Sequence, residues 1–148
     1  MTYQEKKSIV SIVNTVIIFT AFSFYMFPQY PRGDSILDET LRFWGIFVLL
    51  LTVVSIVAHI IISIIFNIVF RITTKEKEPL FEDELDKIIA LKANRNSFFI
   101  FILGFLFSMT ALVLSQPLQV MFIILIVSGF IADMTGSVTK LYHYRRGV

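Results

Sequence analysis

Four long apolar runs dominate this chain of 148 residues. They cover residues 8–27, 43–70, 97–114 and 118–139. A helix needs about 20 largely apolar residues to cross the hydrocarbon core of a bilayer. Within lipid an α-helix satisfies every backbone hydrogen bond inside the segment itself. The sequence therefore predicts an all-α fold, with one integral membrane domain over residues 1–148 and four transmembrane helices in an antiparallel bundle.

Composition excludes several functional classes. Charged residues make up only 16% of the chain, against about 25% in an ordinary soluble domain. The absence of cysteine rules out disulfide frameworks, thiolate catalysis and cysteine-ligated zinc. Nucleotide-binding, nucleophile-elbow and zinc-protease motifs are absent, and a net charge of +2 is too small to indicate nucleic acid. We predict no catalytic set, no metal site and no cofactor, and the lipid bilayer as the principal partner.

The distribution of basic residues predicts the orientation. Of the 13 Lys and Arg residues, eleven lie in the N-terminal segment, in the loop 71–96 and in the C-terminal segment. Only Arg32 and Arg42 lie between the first two apolar runs. Loops rich in Lys and Arg stay on the cytoplasmic side. We therefore predict a multi-pass protein of the cytoplasmic (inner) membrane of a prokaryote, with both termini in the cytoplasm.

The loop between the second and third runs contains an amphipathic stretch at residues 80–96. Its apolar residues recur at helical spacing, and its acidic residues precede its basic ones, which suits the helix dipole. Neither Gly nor Pro separates it from Ser97, so we expect a cytoplasmic helix continuous with the third transmembrane helix. The stretch is a candidate surface for a protein partner through Asp83, Glu84, Asp86, Lys87, Lys92 and Arg95.

Asp133 is the most informative residue inside an apolar run. It precedes Lys140 by seven positions, which places it roughly 10 Å inside the membrane boundary at helical rise. A carboxylate near the bilayer centre costs about 2.5 kcal/mol or more, so it should face protein or water. Polar residues in the first two runs could share that environment. The ligand or ion candidates are Asp133, His59, Asn67, Asn14 and Ser63.

Two interpretations of these polar residues remain open. They could fix helix packing through interhelical hydrogen bonds, each contributing about 0.6 kcal/mol. They could instead form an ionisable site for a proton, a cation or a small ligand. Asp133 and His59 should differ in depth by roughly 6 Å, which disfavours direct contact but leaves room for a bridging water. At the C-terminus, Arg145 and Arg146 are candidates for contact with lipid headgroups.

The second half of the chain resembles a family of small prokaryotic membrane proteins of unknown function. One part of the resemblance is an acidic-start helix, carried by Asp83, Glu84, Asp86, Ile88, Ile89, Leu91, Lys92, Arg95, Asn96, Ser97, Phe98 and Phe99. The other part is the C-terminus, with Tyr142, Tyr144, Arg145, Arg146 and Gly147. The chain departs from the family at Leu85, often Arg, and at Ala90, often Glu, while two phenylalanines replace tyrosines. The resemblance implies four membrane helices, sometimes encoded near a helix-turn-helix regulator, and no established activity.

Three functions follow as hypotheses. The first is a non-enzymatic membrane partner, meaning a regulatory, immunity or accessory protein that acts through its cytoplasmic face. The second is a subunit of a small transporter or channel that uses Asp133 and His59. Because four helices are few for a complete pathway, this function requires a homo-oligomer or a larger assembly. The third is an intramembrane enzyme with the same two residues as acid and base, which is the least favoured because no catalytic motif accompanies them.

Overall fold

A computed structural model describes residues 3–31, 37–74 and 84–146. Within these residues the chain forms four α-helices and one short 3-10 helix, and no strand. The helices are α1 (Tyr3–Met26), α2 (Leu37–Thr74), α3 (Glu84–Val113) and α4 (Leu118–Arg146), and the 3-10 turn Phe27–Gln29 follows α1. All four α-helices are long and apolar enough to cross a membrane. The prediction of an all-α chain with four helices of membrane length is confirmed.

Each helix extends beyond the apolar run that predicted it. Each helix continues past at least one end of its run because the flanking residues include Lys, Arg and Glu, which form helices readily. α4, for example, continues beyond 139 to Arg146, and α3 runs from Glu84 through Ser97 as one helix. Asp83 and the rest of residues 80–83 lie outside the described residues, as do Arg32, Lys75, Lys77 and Gly147.

The turn between α3 and α4 is closed by backbone hydrogen bonds. Ser115 N–H donates to Leu112 O, and Gln116 N–H donates to Ala111 O, each at 3.0 Å. This pair of bonds is the Schellman ending of a helix, which places its turn residue in the left-handed region. Ser115 accordingly has φ 55°. Pro117 then precedes α4 and prevents α3 from continuing.

Small residues bring α3 and α4 into close contact, and this pair packs more extensively than any other. A Cβ atom added at Gly104 would lie 2.0 Å from Ser128 Cβ, and one added at Gly136 would lie 2.5 Å from Ser97 Oγ. Glycine and serine allow helix backbones in a membrane to approach this closely. Near the start of α3, Ile89 is fully buried, so the close packing extends beyond the predicted span.

An aromatic cluster joins α1, α2 and α4 at one end of the fold. Phe22 and Met26 of α1 pack with Trp44 and Phe47 of α2. The Trp44 ring stacks on Phe122 of α4 with a centroid distance of 5.8 Å and an interplanar angle of 5°. We call this the aromatic end.

The opposite end is polar, and we call it the polar end. There Tyr3 of α1 donates a hydrogen bond to Asn67 of α2. Gln4 Nε2 donates to Asp86 Oδ2 of α3 at 3.4 Å. α1 therefore contacts both α2 and α3 at this end, in addition to its packing along α4.

α2 is the least buried helix. Of its described side chains, only Trp44 and Phe47 are buried. Large apolar residues around the rest of the helix are exposed, such as Leu49 at 69% and Ile60 at 55%. An apolar surface of this extent is far larger than soluble monomers expose. It is the surface expected of a helix that faces lipid or further membrane helices.

Candidate functional site

A hydroxyl group on α1 links Asp133 of α4 to His59 of α2. Thr15 Oγ1 donates a hydrogen bond to Asp133 Oδ2 at 2.8 Å. The same oxygen lies 3.4 Å from His59 Nε2. Thr15 is buried and brings a side chain of α2 and a side chain of α4 into one hydrogen-bonded chain. We refer to Asp133, Thr15 and His59 together as the intramembrane site.

The backbone of α2 determines the tautomer of His59. His59 Nδ1 lies 2.9 Å from the Ser55 carbonyl oxygen. A carbonyl oxygen can only accept, so Nδ1 carries a proton in every protonation state that keeps this contact. Nε2 is therefore the nitrogen that can gain or lose a proton, and it is the one that faces Thr15. Asp133 and His59 thus interact through a group that can both donate and accept.

A groove of about 410 Å³ lies beside the intramembrane site. Its walls are mainly apolar and come from α1, α2 and α4, with Phe101 from α3. All three members of the intramembrane site line this groove, and Asp133 is exposed while Thr15 is buried. The groove thus gives a small species direct access to the carboxylate without opening the α1–α4 contact.

A second, polar cavity of about 190 Å³ lies one helical turn closer to the polar end. It is lined by Gln4, Lys7, Ser8, Ser11, Asp86, Ala90, Ser137, Lys140 and Tyr144. The hydroxyls of Ser11 and Ser137 lie 3.4 Å apart across the α1–α4 contact. Ser11 precedes Thr15 by four residues, and Ser137 follows Asp133 by four. This serine pair therefore lies between the polar cavity and the intramembrane site.

Thr15 was missing from the residues that the sequence suggested. The signal that could have identified it is the spacing of Gln4, Ser8, Ser11 and Thr15, which follows one face of α1. This stripe faces α4 and the polar cavity in the structure. The predicted depth difference between Asp133 and His59 is bridged by the hydroxyl of Thr15.

The other predicted ligand candidates do not line the groove beside Asp133. Asn67 accepts the hydrogen bond from Tyr3 at the polar end, and Ser63 is half-buried on α2 without lining the groove. Asn14 is 3% exposed, and its Nδ2 donor has no hydrogen-bond partner among the described residues. Only Asp133 and His59 of the five predicted candidates meet at one site.

The predicted partner-binding residues divide between two faces of α3. Asp86 is half-buried and accepts from Gln4, and Lys92 is also half-buried. Glu84, Lys87 and Arg95 are exposed. At the end of α4, both Arg145 and Arg146 are exposed. The Arg146 guanidinium lies 4.6 Å from the centroid of the Tyr142 ring.

Within the described residues, no three His, Asp or Glu side chains come together in a way that could hold a metal ion. No protein-family model, no curated protein and no solved structure matches the chain. The family resemblance inferred from the sequence therefore stays a prediction. The function has to be inferred from the chemistry of the site.

Proposed function

We propose that this protein is a subunit of a small transporter or channel that binds a proton or a small cation at the intramembrane site. The observation that carries the proposal is the Thr15 hydroxyl between Asp133 and His59. These two residues are the only acidic and basic side chains in the four predicted spans. Ionisable residues in a membrane span mark ion and proton pathways far more often than ordinary positions.

The proposal includes a membrane topology: an antiparallel four-helix arrangement with both termini and the polar end in the cytoplasm of a prokaryote. Two observations support it. Lys and Arg concentrate in the segments flanking the polar end, and successive helices meet there through pairs such as Tyr3–Asn67. Because the chain has no cysteine, single cysteines can test the topology. An impermeant maleimide should label Glu39→Cys in intact cells and Lys87→Cys only after permeabilisation, and the reverse pattern would refute the orientation.

We also propose that the functional unit is an oligomer of this chain. Of the described side chains of α2, only Trp44 and Phe47 are buried, and the groove that α2 and α4 help to line is partly open. A second copy placed against α2 would enclose this groove and supply the additional helices that a pathway needs.

Flux through proteoliposomes tests the proposed function. Full-length protein should dissipate an imposed proton, Na⁺ or K⁺ gradient faster than protein-free liposomes, and Asp133→Asn should abolish that flux. Thr110→Val is a matched control, because the Thr110 hydroxyl is exposed and bonds only to the Leu106 carbonyl of its own helix. The proposal is refuted if none of the three gradients dissipates faster than in protein-free liposomes, or if Asp133→Asn leaves the flux unchanged.

The second candidate is a non-enzymatic partner protein that acts through the cytoplasmic part of α3. Here one face of α3 is packed, with Ile89 and Ala93 at 0% exposure, while Leu91 is 69% exposed. Lys87 and Arg95 flank Leu91 on the outward side. This arrangement leaves an apolar residue between basic ones outside the fold.

A pull-down from native membranes tests this candidate. The double variant Lys87→Glu, Arg95→Glu should abolish recovery of a specific partner. Charge reversal at Arg42, near the start of α2, should not. Equal recovery with all three proteins, or recovery of no partner at all, would contradict it.

A further inference from the structure

The arrangement of hydroxyls around Asp133 indicates both the species that binds and its route. We propose that the species is the proton, that it enters from the polar cavity past Ser11 and Ser137, and that the Thr15 hydroxyl passes it between Asp133 and His59. This inference rests on the proposed function and specifies its substrate and its access.

The intramembrane site has two complete hydrogen-bonding arrangements. In the first, Thr15 donates to the Asp133 carboxylate, so its oxygen can only accept from a protonated Nε2 of His59. In the second, the protonated Asp133 donates to Thr15, and Thr15 donates to a neutral Nε2. Nδ1 donates to Ser55 in both. Every donor of these three side chains has an acceptor in each arrangement, so neither arrangement leaves a donor unpaired.

Conversion between the two arrangements is a balanced proton transfer. The O–H bond of the Asp133 carboxylic acid breaks as its proton forms a new bond to the Thr15 oxygen. The proton previously on Thr15 moves to His59 Nε2. A carboxylic acid and a neutral imidazole thereby become a carboxylate and an imidazolium, and Thr15 ends unchanged. Among the described residues, Asp133 and His59 are the only titratable side chains that line the groove.

The route to the polar end runs along the contact between α1 and α4. Four residues separate Ser11 from Thr15, and four separate Asp133 from Ser137, which corresponds to roughly 6 Å of helix rise. One water molecule with two ordinary hydrogen bonds spans a gap of about this length. The Ser11–Ser137 pair then reaches the polar cavity, where the titratable groups are Lys7, Asp86, Lys140 and Tyr144.

No comparable chain of hydroxyls leads to the aromatic end through the described residues. Beyond Thr52 the groove is walled by Val48 and Leu51 of α2, and by Phe19 of α1. The buried aromatic cluster lies further along the same direction. A proton can therefore move stepwise through hydroxyls and water on one side of the site, whereas the groove wall on the other side is mainly apolar. The packed serine pair is also a reason to favour a proton over a hydrated cation.

A pH jump followed by infrared spectroscopy tests this proposal on the full chain in lipid nanodiscs. The carboxylic acid band of Asp133 is identified as the band lost in Asp133→Asn. Thr15→Val should shift that band towards the position of an acid without a hydrogen-bond partner. Thr15→Ser, which keeps the hydroxyl, and the control Thr110→Val should leave the band in place.

The rate of appearance of the same band tests the route. Replacing both Ser11 and Ser137 by alanine should slow protonation of Asp133 by about tenfold, equivalent to about 1.4 kcal/mol in the barrier. Ser23→Ala, near the aromatic end, should leave the rate unchanged. Each of three results would overturn the inference. These are slower protonation of Asp133 in Ser23→Ala alone, an unshifted band in Thr15→Val, and no acid band at any pH.

The two proposals can fail separately. If the protein conducts Na⁺ or K⁺ and Asp133 never gains a proton, the transport function is supported and the proton is refuted as the bound species. If the acid band behaves as expected but the protein gives no flux, the proton-binding site is supported and the transport function is refuted.

Discussion

Gly104→Ala should weaken the α3–α4 contact more than any other alanine substitution of a described glycine. The added Cβ would lie 2.0 Å from Ser128 Cβ and 3.4 Å from Ser128 Cα. Carbon atoms in contact are separated by about 3.5 Å or more, so the helices must move apart by roughly 1.5 Å. A rotamer change cannot relieve the clash, because the position of a Cβ atom follows the backbone.

The expected magnitude follows from two opposing effects. Overpacking costs about 1–3 kcal/mol, and the rigid contact with Ser128 favours the upper part of that range. Alanine forms helices better than glycine by up to about 1 kcal/mol. The net loss in the free energy of unfolding should therefore be about 2 kcal/mol. Gly129→Ala is the matched control on α4, because its added Cβ would meet nothing within 4 Å.

Denaturation in mixed micelles measures this loss. Trp44 is the single tryptophan in the chain, so its fluorescence reports unfolding without a label. Adding Ser128→Gly to Gly104→Ala removes the opposing Cβ and should restore most of the lost stability, as a double-mutant cycle would show. If Gly104→Ala is as stable as Gly129→Ala, or if Ser128→Gly gives no rescue, the close approach of α3 and α4 at Gly104 is refuted.

Three further predictions concern stability and use the same unfolding assay. Ile89→Ala, at a fully buried position, should cost about 2–5 kcal/mol, whereas Leu91→Ala, at a position 69% exposed, should change little; equal losses would contradict the packing of α3. Asn14→Leu removes a buried donor without a partner and should raise the free energy of unfolding by about 1 kcal/mol, and a loss of stability would reveal a favourable role for the amide. Ser115→Gly relieves a positive φ of 55° and should stabilise the protein by about 1 kcal/mol, so a destabilising effect would argue against the Schellman turn.

The candidate site could be predicted only in part from the sequence. Asp133 and His59 stand out because each is the only titratable residue in its apolar run. Their connection depends on Thr15, whose hydroxyl is unremarkable in a membrane helix because Thr can bond to its own backbone. Asn67 belongs to the same i+4 series on α2 as His59, yet it pairs with Tyr3. Spacing along one helix does not specify which neighbouring helix a side chain meets.

By itself, the sequence determined that this chain forms four helices of membrane length, because lipid leaves an apolar run of this length few alternatives to a helix. It also determined where the charged segments lie. Only the tertiary structure decided which helices pack together and which polar side chains meet, because those choices depend on local shape, such as the space that Gly104 leaves for Ser128. The Thr15 link between Asp133 and His59 arises in the same way, from the packing of α1 against both α2 and α4.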